Sequence, residues 1–331
     1  GTAYEALGQW EQAIAAYQDY LAAQDTIAPY VWARIAECYV NLQDYPAALE
    51  ALDQAIENAP TPALAAEWRE RAAEVAFQGE DYPTAIARYQ ALLEAATEDE
   101  TRARLEQTLG QVYLAAGQEE QGHTHLLNVV QNYPRSPWAY QALLTLVEDE
   151  VPVDELQRGL VDYYAGAYGP AAAAFLRYLK AHPDHTGEVH YYLGRTYRRA
   201  GSYSLALQQF VHLIEKHPLN RFFGWAWLQR AGSYQDMGQT DEALRIYRAF
   251  ARSYPAHELA AEALWRAASL EEELGRDANA AAAYADLADQ YPRSERAAEA
   301  RFRAGLCYYR SEQKEKAIVQ WTTLALSLIH I

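Results

Sequence analysis

A chain of 331 residues can hold two or three globular domains or one elongated repeat array, and length alone does not choose between them. Half of the residues are apolar, with Ala and Tyr abundant and Val and Ile scarce, which argues for helices packed through small and aromatic side chains and against sheets. The formal charge of −17 comes entirely from residues 1–150, where 24 acidic residues face 7 basic ones against 21 of each in the remainder; general nucleic-acid binding is thereby excluded.

Along the chain, a small residue recurs at nearly constant spacing: Ala13, Ala48, Ala85, Gly122, Ala171, Ala206, Ala243, Ala280 and Ala317. Successive intervals are 35, 37, 37, 49, 35, 37, 37 and 37 residues. The surrounding pattern is clearest from Tyr191 onward, in YYLGRTYRRAGSYSLALQQFVHLIEKHP: small Gly194, aromatic Tyr197, turn-forming Gly201, aromatic Tyr203, small Ala206, aromatic Phe210 and closing Pro218. Apolar residues at three- and four-residue spacing give each helix one buried face, and Gly194 and Ala206 allow two helices to approach closely. Gly201 ends the first helix where a positive φ is required. Pro60, Pro134, Pro183, Pro218, Pro255 and Pro292 stop the second helix of their repeats. One such pair cannot bury its apolar face alone, so stacked neighbours must share a continuous core. The expected fold is an all-α superhelix of about nine helix-turn-helix repeats, and this consensus resembles that of the tetratricopeptide repeat (TPR).

Three irregularities divide the chain. The 49-residue interval carries LVEDEVPVDEL (146–156), an acidic, proline-bearing insertion expected to act as a hinge between an N-terminal array (1–145) and a C-terminal array (157–326). Gly1 aligns with the eighth position of a repeat, so half of a first helix is expected to be missing. At the other end LALSLIHI breaks the pattern, and 327–331 is expected to be non-native sequence.

The endings QNYPRSPWAYQA, RSYPAHELAAEA and DQYPRSERAAEA look like those of bacterial cell-envelope proteins. The segment VPVDELQRGLVDYYAGAYGPAAAAFLRYLKAHP, with the helix pairs from Val189 to Pro292, is similar to the superhelical region of soluble lytic murein transglycosylases, enzymes that cleave peptidoglycan without water. The resemblance implies an exported parent protein, periplasmic or surface-anchored, whose catalytic domain would lie beyond Ile331; a cytoplasmic location stays open. No Glu is followed by Ser here and the single methionine is Met237, so no catalytic residue carries over. The expected role is a non-catalytic binding arm that presents a peptidoglycan glycan strand or a protein or peptide partner. The alternative is an interaction adaptor with no attached enzyme, such as an envelope-assembly lipoprotein of the Tol-Pal or BamD-like type. A clamp for chaperone tails requires Lys and Asn where this chain has Glu37, Glu70 and Arg195, and is rejected.

Family resemblance also places the concave lining at the second, fifth, ninth and twelfth positions of each first helix, which maps to Tyr163, Tyr191, Arg195, Arg198, Trp225, Leu228, Trp265, Phe302 and Tyr309. Aromatic rings and arginines are favoured anchors in binding sites. A basic stretch from Glu188 to Arg252 reads as a solvated helix surface in preference to an anion-binding patch. His182, His185 and His190 straddle a closing proline, with no carboxylate or cysteine to complete a ligand set, so they read as loop histidines and no metal or other cofactor is expected. His123 and His125 face different sides of a helix. Cys38 and Cys307 are too few and too far apart for a disulfide framework or redox pair and are expected to be inert. No apolar run approaches the roughly 20 residues that span a bilayer, so no membrane insertion is expected.

Overall fold

The computed structural model describes residues 1–329, with side chains described as far as Leu326. Every regular element among the described residues is an α-helix, and contacts divide the chain into two compact units, Gly1–Ala165 and Gly166–Ile331. The first unit contains α1 (Thr2–Ala6), α2 (Trp10–Ala23), α3 (Ala28–Asn41), α4 (Tyr45–Glu57), α5 (Pro62–Gln78), α6 (Tyr82–Ala95), α7 (Asp99–Ala115), α8 (Glu119–Asn132), α9 (Pro137–Glu148) and α10 (Glu155–Tyr164). The second contains α11 (Tyr168–Ala181), α12 (Glu188–Arg199), α13 (Tyr203–Lys216), α14 (Phe223–Asp236), α15 (Thr240–Ser253), α16 (Ala260–Glu273), α17 (Asp277–Gln290), α18 (Ala297–Arg310) and α19 (Lys314–Ile329). The expectation about 327–331 lies outside the residues described in full.

Helix boundaries follow local chemistry. Asp44, Thr61, Asp81 and Asp154 each accept a hydrogen bond from a backbone N–H of the helix they precede, satisfying donors that the first turn leaves unpaired. The six closing prolines fall two or three residues past α4, α8, α11, α13, α15 and α17. Turns inside the repeats place one residue at positive φ: Gly8, Gly117, Gly166, Gly201, Gly238 and Gly275, with Gln43, Glu80 and Glu312 in the equivalent positions of three repeats. Here the glycine signal is incomplete, because the turn geometry persists where the glycine does not.

All nine small anchors are buried near the start of the second helix of their pair. Where both helices of a pair belong to one unit, the side chain at such a crossing sets the interhelical distance, and a larger residue would push the helices apart. Gly194 serves the same end from α12: a Cβ there would lie 2.5 Å from the Phe210 ring. The apolar residues gather in successive local clusters. One joins Ala13, Ile35, Leu52 and Trp68; another joins Tyr89, Leu109 and Val112; a third joins Leu126, Leu143 and Val161. In the second unit, Trp265, Tyr284, Cys307 and Ala317 belong to one such cluster. This is the sharing between neighbours that a repeat array requires.

The long interval has a concrete explanation. Its additional residues include a whole helix, α9, which buries Ala139, Ala142, Leu143 and Leu146 against α7 and α8. Within the 146–156 insertion only 149–154 stays non-helical, and Val151 and Val153 pack on the same cluster. Both cysteines are free and buried. Burial, with Glu5 alongside, pushes the Cys38 thiol up to about 12, far from the thiolate form that reacts. No helix among the described residues is long and apolar enough to cross a membrane.

Candidate binding surface

In the first unit, the first helices of successive pairs are tied by ion pairs one repeat apart. Arg34 on α3 pairs with Glu5, Arg71 on α5 with Glu37 (2.7 Å), and Arg104 on α7 with Glu70. Arg34, Glu37, Trp68, Glu70, Arg71 and Glu74 line a groove of ≈ 410 Å³ with acidic character. None of the surface residues proposed from sequence lies there. The signal was present in the recurring Glu and Arg of successive first helices, but in the sequence Glu37 and Glu70 register only as departures from a chaperone-tail clamp.

Of the nine proposed residues, Tyr163 belongs to the first unit, where it is buried with its ring 5.1 Å from that of Tyr164. The other eight belong to the second. Tyr191 is buried with its ring stacked on Phe222 at 4.2 Å, and the Arg195 guanidinium lies 5.5 Å from the Tyr191 ring centre. Leu228 is wholly buried and Trp225 is half-buried. Trp265 is also buried: it contacts Tyr284 at 5.1 Å, while Arg296 and Arg303 lie over its ring at 4.7 and 5.4 Å. Phe302 and Tyr309, seven residues apart on α18, are each more than half exposed. The mapped positions therefore fall on both sides of the helix surface, because Tyr191 on α12 and Trp265 on α16 are consumed by packing against their neighbours.

Two of the nine meet in one place. Arg198 and Trp265 line a groove of ≈ 270 Å³ with Tyr247, Glu262, Arg266 and Ser269. Arg198 donates from Nε to Asp236 (2.7 Å) and from Nη1 to Gln229 (2.6 Å), which fixes its head at the rim. Arg266 pairs with Glu262 at 2.8 Å. Burial raises the Tyr247 hydroxyl above its ordinary range, and the nearby Arg266 opposes that shift, so the phenol stays protonated and able to donate. The groove thus offers charges of both signs beside the buried Trp265 ring. Elsewhere in the basic stretch, Arg221, Arg245 and Arg248 are paired with Glu188, Glu242 and Glu271, which leaves little of the excess positive charge that an anion patch needs.

The histidines are arranged differently from their sequence reading. His182 turns aside, stacking on Tyr178 at 4.3 Å. His185 and His190 instead converge with His217, with one ring nitrogen of each within 4.8 Å of the others, and the His212 ring lies tilted against His190 with centroids 4.1 Å apart. Burial lowers His190 to about 4, against the opposing pull of a hydrogen bond to Gln209, and the neighbouring histidines add to the lowering. His185 and His217 are lowered for the same first reason, burial, with further lowering from nearby histidines. His123 and His125 face apart as expected, to Asp149 (2.8 Å) and Glu106 (2.6 Å).

A family model for the tetratricopeptide repeat matches residues 1–63, 34–100, 156–218 and 228–295, well over half of the chain. The chain belongs to the tetratricopeptide repeat family. TPR arrays are scaffolds for protein–protein interaction, and they bind protein or peptide partners. None of the curated proteins matches the chain. Among solved structures it is similar to the C-terminal part of a TPR repeat-containing protein from Cytophaga hutchinsonii, at 18% identity over 81% of this chain and 98% of that one, with a TM-score of 0.37. A TPR protein from Parabacteroides merdae is similar at 16% identity over 82% and 97% of the two chains, TM-score 0.35. The TPR2AB domain of yeast Sti1, in complex with pHSP90, follows at 14% identity over 80% and 96%, TM-score 0.30.

Proposed function

We propose that this TPR chain is a scaffold that takes an extended peptide segment of a protein partner in the second-unit groove, as the binding arm of a larger cell-envelope protein. The observation that carries the peptide reading is the meeting of Arg198, Tyr247, Trp265 and Arg266 in one groove, with Glu262 paired to Arg266. Paired charges of both signs over a buried ring suit a polypeptide, whose backbone supplies donors and acceptors along its whole length. Trp265 carries two guanidinium groups over its ring, so it acts as the groove's floor and not as an open platform for a sugar. Placement in the envelope, and attachment to a lytic transglycosylase, rest on the resemblance of 151–183 and the following helix pairs to the superhelical region of those enzymes.

The test is capture by the immobilised chain from a library of extended peptides and, separately, from peptidoglycan glycan strands. Replacing Arg198 and Arg266 together by Ala should weaken peptide capture by about tenfold or more, the scale of a binding anchor. Equal capture by the folded double variant discards the groove. Capture of glycan strands alone, lost in that variant, would replace the peptide by the glycan and strengthen the transglycosylase reading.

A further inference from the structure

The loop end of the α12–α13 pair brings together side chains that peptide binding does not use. His190 lies in the first turn of α12, His185 five residues before it in the preceding loop, and His217 caps α13. His190 is almost wholly buried. Its Nδ1 donates to Gln209 Oε1 at 2.7 Å, since a carbonyl oxygen can only accept. That bond sets the tautomer: Nε2 carries the lone pair. Nε2 is buried and has no hydrogen-bond partner. A buried acceptor left unpaired costs folding free energy unless something binds it.

The backbone is shaped around this point. Gly187 holds φ at +90°, and a Cβ there would lie 2.5 Å from the His217 ring. A glycine is therefore what allows the 185–190 loop to close over His217. On one side, Gln209 holds the imidazole as a second-layer partner holds a metal ligand, fixing tautomer and ring direction.

We propose that His185, His190 and His217 bind a divalent transition-metal ion of the zinc class, with His190 Nε2 as the anchoring ligand. Three imidazoles with no thiolate select zinc, nickel, cobalt or copper over magnesium and calcium, which take oxygen ligands. Zinc–nitrogen bonds are about 2.0–2.1 Å, so ligands spread over 4.8 Å must draw in somewhat on binding. His185 also gives up a contact, because its Nδ1 accepts from the Gly187 N–H at 3.1 Å and the ion displaces that bond. With three protein ligands, solvent completes the shell. The ion would tie the loop before α12 to the end of α13.

The experiment uses the whole chain without an affinity tag, stripped with chelator and titrated with zinc chloride by calorimetry, then with cobalt chloride by visible absorption. One saturating equivalent is expected, with ligand-field bands in the cobalt spectrum. His185→Asn and His217→Asn, at half-buried positions that leave the core intact, should each weaken zinc binding at least about tenfold, and Gln209→Leu by about 10–100-fold. His182→Asn, in the same loop but outside the cluster, should bind as the parent does. Circular dichroism checks that each variant is folded. Absence of saturable binding in the parent overturns the proposal. So does undiminished affinity in folded His185→Asn/His217→Asn, or an equal loss in His182→Asn, either of which marks adventitious surface binding.

Discussion

Replacing Glu80 by Gly should stabilise the first unit. Glu80 sits at φ 58 in the turn between α5 and α6, the left-handed region that L-residues avoid, while six equivalent turns use glycine. A non-glycine residue pays about 1–2 kcal/mol to stay there. Glycine removes that cost but loses about 0.5–1 kcal/mol through the greater freedom of the unfolded chain. The side chain is exposed, and the turn is closed by backbone bonds that any residue can make, from Glu80 N–H to Phe77 O (3.0 Å) and from Asp81 N–H to Ala76 O (2.9 Å). The net expectation is a gain of about 0.5–1 kcal/mol, and for a unit of this size a rise in Tm of about 1–4 °C. Gly117→Ala provides the mirror test, because its φ is +71 and a Cβ there would meet nothing within 4 Å, so no steric clash contributes to any loss. That variant should lose about 1 kcal/mol. Urea unfolding followed by circular dichroism measures both, with hydrogen exchange at the α5–α6 amides for Glu80→Gly and at the α7–α8 amides for Gly117→Ala. A Glu80→Gly protein no more stable than its parent, or a Gly117→Ala protein equally stable, refutes the torsional account.

Two further outcomes follow from the second unit. Leu228→Ala should cost about 2–5 kcal/mol in urea unfolding, as for a fully buried leucine, and a loss below about 1 kcal/mol would return Leu228 to the surface. For Glu272, burial alone would raise the carboxyl, but hydrogen bonds from Arg310 and Tyr284 and the charges of Arg310 and Arg303 outweigh it and hold the group below its ordinary range. A lowered carboxyl stabilises the fold above the unfolded value near 4.3, and that contribution disappears as pH falls through the folded value. Thermal unfolding of Glu272→Gln should therefore match the parent most closely in acid and fall behind it by about 1 kcal/mol at neutral pH, and a constant offset at every pH would discard the linkage.

How far the sequence could be read depended on what each residue's neighbours decide. Ala13, Ala48 and the other anchors were legible because a small residue at a helix crossing is dictated by distance alone. The turn at Glu80 was obscured: the glycine beside it, Gly79, has ordinary φ and instead makes room for Tyr45, whose Cβ would be 2.7 Å from an added methyl. Helix α9 was read as part of an irregular interval because no small anchor or turn glycine marks it. Aromatic spacing on α12, α14 and α16 marked a face but not what covers it, so Tyr191 and Trp265 proved buried while Phe302 and Tyr309 stayed open. The histidine cluster needed His217, which belongs to the end of a different helix from His190; no short motif links them, and only the loop closing at Gly187 brings them together.

The charged rungs of the first unit have a consequence for growth of the array. Helix α3 reaches back with Arg34 and forward with Glu37, and α5 reaches back with Arg71 and forward with Glu70. A module of this kind has a plug on one edge and a matching socket on the other. A duplicated helix pair spliced between them would find both edges already complementary, so lengthening by tandem copying strands no charge, whereas a pair inserted in reverse order would set like against like.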